Sequence, residues 1–249
     1  EECSFEEVVG QPDALRAVEL AAAGGHSLLL TGPPGVGKTM VAQRLVRLLP
    51  DLTLSEALEV AQVHSRVGIA SASRGLVTRP PFRSPHHSIS RAGLLGSARL
   101  LPGEVSLAHR GVLLLDEMPE FTRSVLEMLR GPLEDRKVQL SRASGSGSFP
   151  AFCILVATAN PCPCGFLEHP VRACSCTDGQ VQNYRRRISG PLLDRIDLRV
   201  EMEPRPLSLG RDESTRESVS AARLRVLKAR KMQAARMSDS GGATNSESS

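Results

Sequence analysis

A glycine-rich loop, residues 32–39, contains a lysine and a threonine whose chemical types and spacing indicate a binding site. It fits the pattern G-x-x-x-x-G-K-[S/T], in which backbone N–H groups surround phosphates and the lysine and hydroxyl reach the outer phosphates and Mg²⁺. Lys38 is therefore predicted to contact the β- and γ-phosphates of a nucleotide, and Thr39 to bind Mg²⁺. We call this segment the P-loop; its residues are Gly32, Pro33, Pro34, Gly35, Val36, Gly37, Lys38 and Thr39.

The segments on either side of the P-loop favour this interpretation over a chance glycine turn. The apolar run Ser27–Thr31 predicts a short buried strand of a parallel sheet. Met40–Leu49 predicts a helix that ends before Pro50. A strand, a glycine loop and a helix N-terminus together form an anion site, because free N–H groups and the helix dipole both favour negative charge.

Two further strands are predicted to end in polar residues beside the P-loop. The apolar run Gly111–Leu115 leads into Asp116 and Glu117. With a P-loop upstream, Asp116 is predicted to hold Mg²⁺ and Glu117 to polarise an attacking water. Phe152–Ala157 predicts a third strand, and Asn160 follows it as a candidate to hold that water and sense the γ-phosphate. The alternative for Asn160 is a turn residue before a proline.

Four of the six cysteines fall in one short segment with the spacing C-x-C-x9-C-x-C. Four thiols could hold a tetrahedral Zn²⁺, although the usual pair spacing is C-x2–4-C, so reduced cysteines without metal remain the alternative. Their crowding argues against a disulfide scaffold. The candidates are Cys162, Cys164, Cys174 and Cys176.

The adjacent pair His86 and His87 also invites a metal hypothesis. Neighbouring side chains diverge on a helix or a strand, so we favour a polar strand end here.

Composition predicts a globular protein with an aliphatic core. The 249 residues are 41% hydrophobic and 3% aromatic, with no tryptophan, and no segment is apolar and long enough to predict a membrane span. A cytoplasmic location without membrane contact is the expectation.

The net charge is +4, but residues 211–236 hold eight Lys/Arg and three Asp/Glu, which leaves about −1 elsewhere. Charge alone therefore does not predict nucleic-acid binding by the main domain.

The remaining elements are predicted from periodicity and capping. Val9 and Gly10 precede the first helix and are candidates to contact an adenine ring, with plain helix packing as the alternative. A flexible tip of five residues, 143–147, is predicted for a hairpin, and residues 237–249 are predicted to be disordered. The predicted helices are Pro12–Ala23, Ser55–Val63, Leu94–Leu101, Glu104–His109, Thr122–Leu133 and Ser214–Arg236, and the hairpin strands are Val138–Arg142 and Ser148–Phe152.

Taken together, these motifs resemble the magnesium-chelatase-subunit-I-like AAA+ ATPases over residues 3–236. Two stretches, NPCPCG and RRRISGPLLDRID, resemble the branch that contains bacterial competence proteins. The other stretches that carry the resemblance are GQPDALRAVELAAAGGHSLLLTGPPGVGKT, FRSPHHSIS, PGEVSLAHRGVLLLDEMPEF and SRASGSGSFPA.

The resemblance implies an α/β fold, a P-loop NTPase with a five-stranded parallel sheet flanked by helices. It implies an α/β core over residues 1–206, the start of a helical lid over 207–236 and a tail over 237–249. It also implies a ring of identical subunits, a hexamer, with ATP bound at the interfaces. By position, Asn160 matches sensor 1, Arg195 matches an arginine finger that serves the neighbour's ATP, and Arg142 on the hairpin is a candidate DNA phosphate contact.

The implied function is an ATP-hydrolysing motor on single-stranded or branched DNA, a translocase for branch migration in natural transformation and recombination. Its implied cofactors are ATP and Mg²⁺. Two alternatives stay open: a chelatase-type motor that remodels a protein partner, and an ATP-binding module with little turnover. The second arises because no residue here matches the family's sensor-2 arginine in the lid.

Overall fold

Five parallel strands form the central sheet of the computed structural model, which describes residues 11–69, 75–142, 145–204 and 218–237. The strands are β1 Leu28–Thr31, β2 Phe82–Arg83, β3 Val112–Leu115, β6 Ile154–Ala159 and β7 Leu198–Glu201. They lie in the order β2–β3–β6–β1–β7. A separate antiparallel hairpin consists of β4 Lys137–Arg142 and β5 Gly145–Pro150. The predicted five-stranded parallel sheet is thus confirmed.

Helices cover both faces of this sheet, as a parallel sheet requires. Their bounds are α1 Pro12–Gly24, α2 Lys38–Leu48, α3 Leu54–Ser65, α4 Arg91–Leu95, α5 Glu104–Leu107, α6 Arg123–Glu127, α7 Arg130–Asp135, α8 Asp178–Arg185, α9 Gly190–Leu193 and α10 Val219–Met237. A 3-10 turn spans Met118–Glu120. Within the described residues, no helix is both long enough and apolar enough to cross a bilayer.

Alternate residues of each strand point to opposite faces and divide the core in two. Leu28 and Leu30 pack with α1, α2 and α10 on one face. Leu29 packs on the other face, where residues of α4, α5, α6 and α9 complete the cluster. All residues of β3 and β6 are buried, which matches the continuous apolar runs seen in the sequence.

Local signals explain where the main helices begin and end. Pro12 begins α1 and Gly25, at φ +75, ends it in the left-handed conformation. Thr53 and Glu56 form a reciprocal capping box at the start of α3. α2 begins directly at Lys38, so the last residues of the P-loop lie in its first turn.

Two predicted helices have wrong bounds, each for an identifiable reason. The helix predicted over Thr122–Leu133 is two helices, α6 and α7, because Pro132 cannot bond to the preceding turn and its ring would clash there. The helix predicted over Leu94–Leu101 ends at Leu95, because Gly96 takes φ +142 against the Leu101 carbonyl.

The hairpin is longer than predicted. Gly145 pairs with Arg142 and Gly147 with Leu140, so three of the five residues predicted for the tip belong to β5 instead. The other two, residues 143–144, lie outside the described residues. The prediction that the side chains of the two adjacent histidines point apart is also wrong. They lie in an irregular segment after β2, where the rings of His86 and His87 stand 4.0 Å apart between centroids.

Candidate nucleotide site and cysteine cluster

The carboxyl ends of β1, β3 and β6 meet at one edge of the sheet. The P-loop follows β1, Asp116 and Glu117 follow β3, and Asn160 follows β6. Leu30 pairs with Thr158, and Leu115 pairs with Ala157, so the three strands end in register. This edge is where open α/β sheets bind ligands.

The P-loop leaves several backbone donors free. Gly35 and Gly37 take φ +83 and +88, conformations that glycine adopts without strain. Within the described residues, the N–H groups of residues 35–40 donate to no backbone carbonyl, as expected for a helix's first turn. Gly32 lies so close to β7 that a Cβ there would stand 2.4 Å from the Met202 carbonyl oxygen. The loop is thus held at its start and open at its tip.

Lys38 joins the P-loop to Asn160. Its ammonium group donates to the carbonyl oxygens of Gly32 at 2.6 Å and Pro33 at 2.9 Å, and to Asn160 Oδ1 at 3.0 Å. Only 8% of the residue is exposed. Burial lowers the pKa of Lys38, and the carboxylates of Asp116 and Glu117 act against that shift. An anion at the P-loop would offset this desolvation, since it would stabilise the charged form.

The carboxylate of Asp116 and the backbone of Glu117 are both held by a residue that sequence reasoning did not assign, Thr158. Thr39 Oγ1 donates to Asp116 Oδ1 at 2.9 Å. Thr158 Oγ1 donates to the same Asp116 oxygen at 2.6 Å and accepts from the Glu117 N–H at 2.8 Å. Glu117 itself takes φ +54, a left-handed conformation that costs free energy in a residue with a side chain. The available signal was a threonine in the otherwise apolar run of β6.

Tyr184 is a second residue at this edge that the sequence did not single out. It lies in α8 and is buried, and Arg187 stands over its ring at 5.9 Å. Burial raises the pKa of Tyr184 to about 12, helped by Glu120 and opposed by a hydrogen bond from the Asn160 backbone. The signal for α8 was the pair Thr177 and Gln180, which form a capping box at its start.

A cavity of about 600 Å³ adjoins these residues on the α8 side of the sheet. Its lining includes Pro33, Asn160, Tyr184 and Glu201. The volume falls in the range of small-molecule sites, and Gly32 and Pro33 of the P-loop contribute to the lining.

Arg195 belongs to a different surface. Its Nη2 donates to Glu134 Oε2 at 2.6 Å, and its Nη1 to the Pro191 carbonyl at 3.3 Å. Among the described residues, none of its hydrogen bonds reaches the P-loop, Asp116 or Asn160. The structure therefore groups four of the predicted residues (Lys38, Thr39, Asp116 and Asn160) and leaves Arg195 outside that group.

Comparison with known proteins identifies the family. A sequence model described as magnesium chelatase, subunit ChlI, matches residues 4–208. The chain belongs to this family.

Three relatives of this ChlI-family chain extend the match over nearly all of its length. The Mycobacterium tuberculosis protein Rv2897c is 51% identical over 97% of the chain and 48% of its own length. YifB of Escherichia coli is 46% identical over 91% of the chain and 45% of its own length. The competence protein ComM of Haemophilus influenzae is 45% identical over 91% of the chain and 44% of its own length. The chain spans about half the length of these relatives, and the predicted likeness to the competence branch is confirmed.

Membership of this family agrees with the predicted AAA+ P-loop NTPase fold, for which ATP and Mg²⁺ are the expected ligands. The residues present fit both. Free N–H groups and a buried ammonium group suit phosphate oxygens, while the hydroxyl of Thr39 and the carboxylate of Asp116, 2.9 Å apart, are ligand types that Mg²⁺ prefers. Val9 and Gly10, predicted to contact adenine, lie outside the described residues, and so does the side chain of Arg142.

The four cysteines of the ChlI-family chain form a cluster next to Asn160, which we call the cysteine cluster. All four sulfurs lie within 4.8 Å of one another. The Sγ–Sγ distances are 3.4 Å from Cys162 to Cys164, 3.7 Å from Cys162 to Cys174 and 3.5 Å from Cys164 to Cys174. Four sulfurs at about 2.3 Å from a central zinc ion would stand about 3.8 Å apart. The cluster therefore has the size of a tetrahedral thiolate site.

Backbone N–H groups stabilise the sulfurs of this cluster. The Cys164 N–H donates to Cys176 Sγ at 3.4 Å, and the Cys176 N–H donates to Cys174 Sγ at 3.4 Å. N–H groups of Phe166 and Ser175 lower the pKa of Cys164 to about 5, whereas burial and the neighbouring sulfurs raise the pKa of Cys174 to about 12. Cys153 is separate: burial raises the pKa of its thiol to about 12.

Proposed function

We propose that this chain hydrolyses ATP at the P-loop edge and works within a ring of identical subunits as a motor on DNA. The DNA role we propose is translocation with branch migration, in natural transformation and recombination. The observation that carries the ATPase proposal is the convergence of Lys38, Thr39, Asp116 and Asn160 through hydrogen bonds of 2.9–3.1 Å between separate strand ends.

Each side chain has a role that its contacts support. Lys38 would exchange its bonds to the carbonyls of Gly32 and Pro33 for phosphate oxygens, and so neutralise charge that develops on the transferred group. Asn160, already bonded to Lys38, would hold the attacking water in line. Glu117 would polarise that water. Thr39 and Asp116 would hold Mg²⁺, which when bound supplies positive charge to the phosphate oxygens.

Arg195 is proposed to complete the site of a neighbouring subunit. Its guanidinium pairs with Glu134, whose side chain is 63% exposed, so the pair lies at the surface and can rearrange at a contact. Arginines that reach a neighbour's phosphates stabilise the transition state by about 10³–10⁵ in rate where they have been measured.

The DNA substrate is proposed from the sequence resemblance and from the relative named as a competence protein. The candidate DNA contact lies on the hairpin. Val138 and Leu140 anchor β4 in the core, while Gln139 and Ser141 face outward and are exposed. Arg142 stands at the tip of that strand and is the proposed phosphate contact.

One experiment tests the motor proposal. The ATPase rate is measured against protein concentration, with and without single-stranded and branched DNA. We expect the specific rate to rise with concentration and with DNA, and Lys38→Ala and Arg195→Ala to abolish most of it. Arg195→Ala should retain nucleotide binding. Arg16→Ala is the matched control: it removes an exposed arginine that, among the described residues, pairs with Glu19 on the same helix, and it should leave the rate unchanged.

The same experiment separates the alternatives. A rate that ignores DNA but responds to a protein partner would favour a remodelling motor. Nucleotide binding without phosphate release, at all concentrations, would favour a binding module. For DNA itself, affinity that falls steeply with salt supports phosphate contacts, because bound counterions are released on association.

We further propose that the cysteine cluster holds one Zn²⁺. The purified protein should contain stoichiometric zinc, and the double variant Cys162→Ser/Cys174→Ser should lose it. Cys153→Ala removes a buried cysteine outside the cluster and should keep the metal. Purified protein without metal, and unable to take up zinc, would leave the cluster as four reduced thiols.

A further inference from the structure

The cysteine cluster lies directly against the P-loop. The turn from Cys162 to Gly165 is closed by the Gly165 N–H, which donates to the Cys162 carbonyl at 3.0 Å. Gly165 takes φ +83, and a Cβ built on it would stand 2.5 Å from Cδ and 2.7 Å from Cγ of Pro34. No side chain fits between this turn and the proline ring. The turn that carries two of the four sulfurs therefore rests on the P-loop.

A second connection runs through Asn160. Asn160 lies two residues before Cys162 with only Pro161 between them, and proline fixes φ and so stiffens the link. The same Asn160 accepts from Lys38 at 3.0 Å. Cys162 is completely buried. A displacement of Cys162 must therefore be transmitted to Asn160, to Gly165 or to both, and each of these touches the P-loop.

We infer that the cysteine cluster is a positioning site for the nucleotide: metal bound to the four thiolates fixes the turn Cys162–Gly165, which sets Pro34 and Asn160 for ATP. This inference rests on the proposed ATP binding at the P-loop. Metal binding to thiolates releases free energy that orders the segments supplying them. Without metal the turn keeps its hydrogen bond from Gly165 to Cys162 and the weak contacts between sulfurs, but loses the ligand bonds. Gly165 is then a positioning residue: through its contact with Pro34, binding or loss of the metal changes the position of the P-loop.

The variant Gly165→Ala tests the contact itself. It should weaken binding of a fluorescent ATP analogue with Mg²⁺ about tenfold, because the added methyl group displaces Pro34. Zinc content, measured on the same sample, should remain one per chain. Gly68→Ala is the matched control. Gly68 has φ +74 but open space where the Cβ would stand, so it imposes the same backbone strain without a contact.

A second variant separates displacement of the P-loop from general damage. Pro34→Ala removes both ring atoms that the new methyl group would meet. The loss caused by Gly165→Ala should therefore be much smaller in the Pro34→Ala background than in the wild type. Equal losses in the two backgrounds would show that the methyl group does not act through Pro34.

The role of the metal is tested by removing zinc from the protein and then adding it back. Chelation of zinc, or Cys162→Ser/Cys174→Ser, should weaken binding of the same analogue about tenfold, and zinc sulfate should restore the chelated wild type but not the double variant. Metal loss without a change in nucleotide affinity overturns the inference while the proposed ATPase stands. Failure of the metal-loaded wild type to bind nucleotide at all would instead overturn the proposed function.

Discussion

Thr158 holds the carboxylate of Asp116 and the backbone of Glu117 at the nucleotide site. Its hydroxyl donates to Asp116 at 2.6 Å and accepts from the Glu117 N–H at 2.8 Å, and the residue is fully buried. The second bond helps to hold Glu117 in its left-handed conformation. One side chain thus aims the proposed magnesium ligand and supports the turn that carries the proposed water-polarising group.

We expect Thr158→Val to lower kcat for ATP hydrolysis by about tenfold, or about 1.4 kcal/mol of barrier. Valine keeps the shape of the side chain but removes both hydrogen bonds. Thr158→Ser keeps the hydroxyl and should retain most of the rate. Steady-state kinetics at several Mg²⁺ concentrations provides the measurement, with thermal melting to confirm folding. A valine variant with the wild-type kcat would show that Asp116 and Glu117 need no such support.

Residues that belong to a local pattern could be predicted, and residues that act through distant contacts could not. Lys38 and Thr39 follow from eight consecutive residues, and Asp116 from an apolar run that ends in acids. Thr158 and Gly165 gain their importance from partners more than 40 and 130 positions away in the chain, Asp116 and Pro34. A single sequence contains no signal for such pairs until the strand order is known.

At the scale of elements, His109 ties α3 to the segment that leads into β6. Its Nδ1 accepts from the Phe152 N–H at 3.1 Å, so its Nε2 carries the proton and bonds to Glu59 at 3.1 Å. Arg110 bonds to the same carboxylate. Burial lowers the pKa of His109, while Glu59 and Glu56 oppose the shift and Arg110 reinforces it.

This arrangement predicts a loss of stability as pH falls. The pKa of His109 is lower in the folded than in the unfolded state, so between these values the unfolded chain binds more protons. The free energy of unfolding should fall as pH drops below about 6.5, the usual value for histidine, and level off below the folded pKa. Protonation of Nδ1 would also break the bond to Phe152.

Urea unfolding at a series of pH values measures this effect. His109→Asn keeps an acceptor near the Phe152 N–H and cannot gain charge, so its stability should change less between pH 7 and pH 5. Glu59, whose pKa is lowered chiefly by its hydrogen bond to Arg110, acts with the same sign at lower pH. Identical pH dependence in variant and wild type would assign the loss to other groups.

Elements with strong periodicity were predicted, and short elements without it were missed. The buried strands β1, β3 and β6 follow from their apolar runs. β2 has only two residues, and it pairs with β3 because Gly111 allows Pro81 to approach; a Cβ on Gly111 would stand 1.9 Å from the Pro81 carbonyl oxygen. The division between α6 and α7 depends on where Pro132 falls within a helical pattern that otherwise continues.

At the scale of the whole molecule, the separation of Arg195 from the P-loop predicts sites shared between subunits. A mixture of Lys38→Ala and Arg195→Ala proteins should be more active than either variant alone. In a random equimolar ring, about a quarter of the junctions would combine an intact Lys38 with an intact Arg195 from its neighbour. The ATPase rate is followed as the ratio of the two variants is changed at constant total concentration. If mixing restores no activity while the wild type is active, Arg195 does not serve a neighbour.

The burial of Tyr184 beside Asn160 gives the protein an optical probe of its own. The chain has one tyrosine and no tryptophan, so its ultraviolet emission comes almost entirely from this ring. The ring lies between Arg187 and the end of β6, where nucleotide is proposed to bind. Emission from unlabelled protein therefore reports the surroundings of a single position, and a change in intensity can be assigned to the nucleotide edge without a dye.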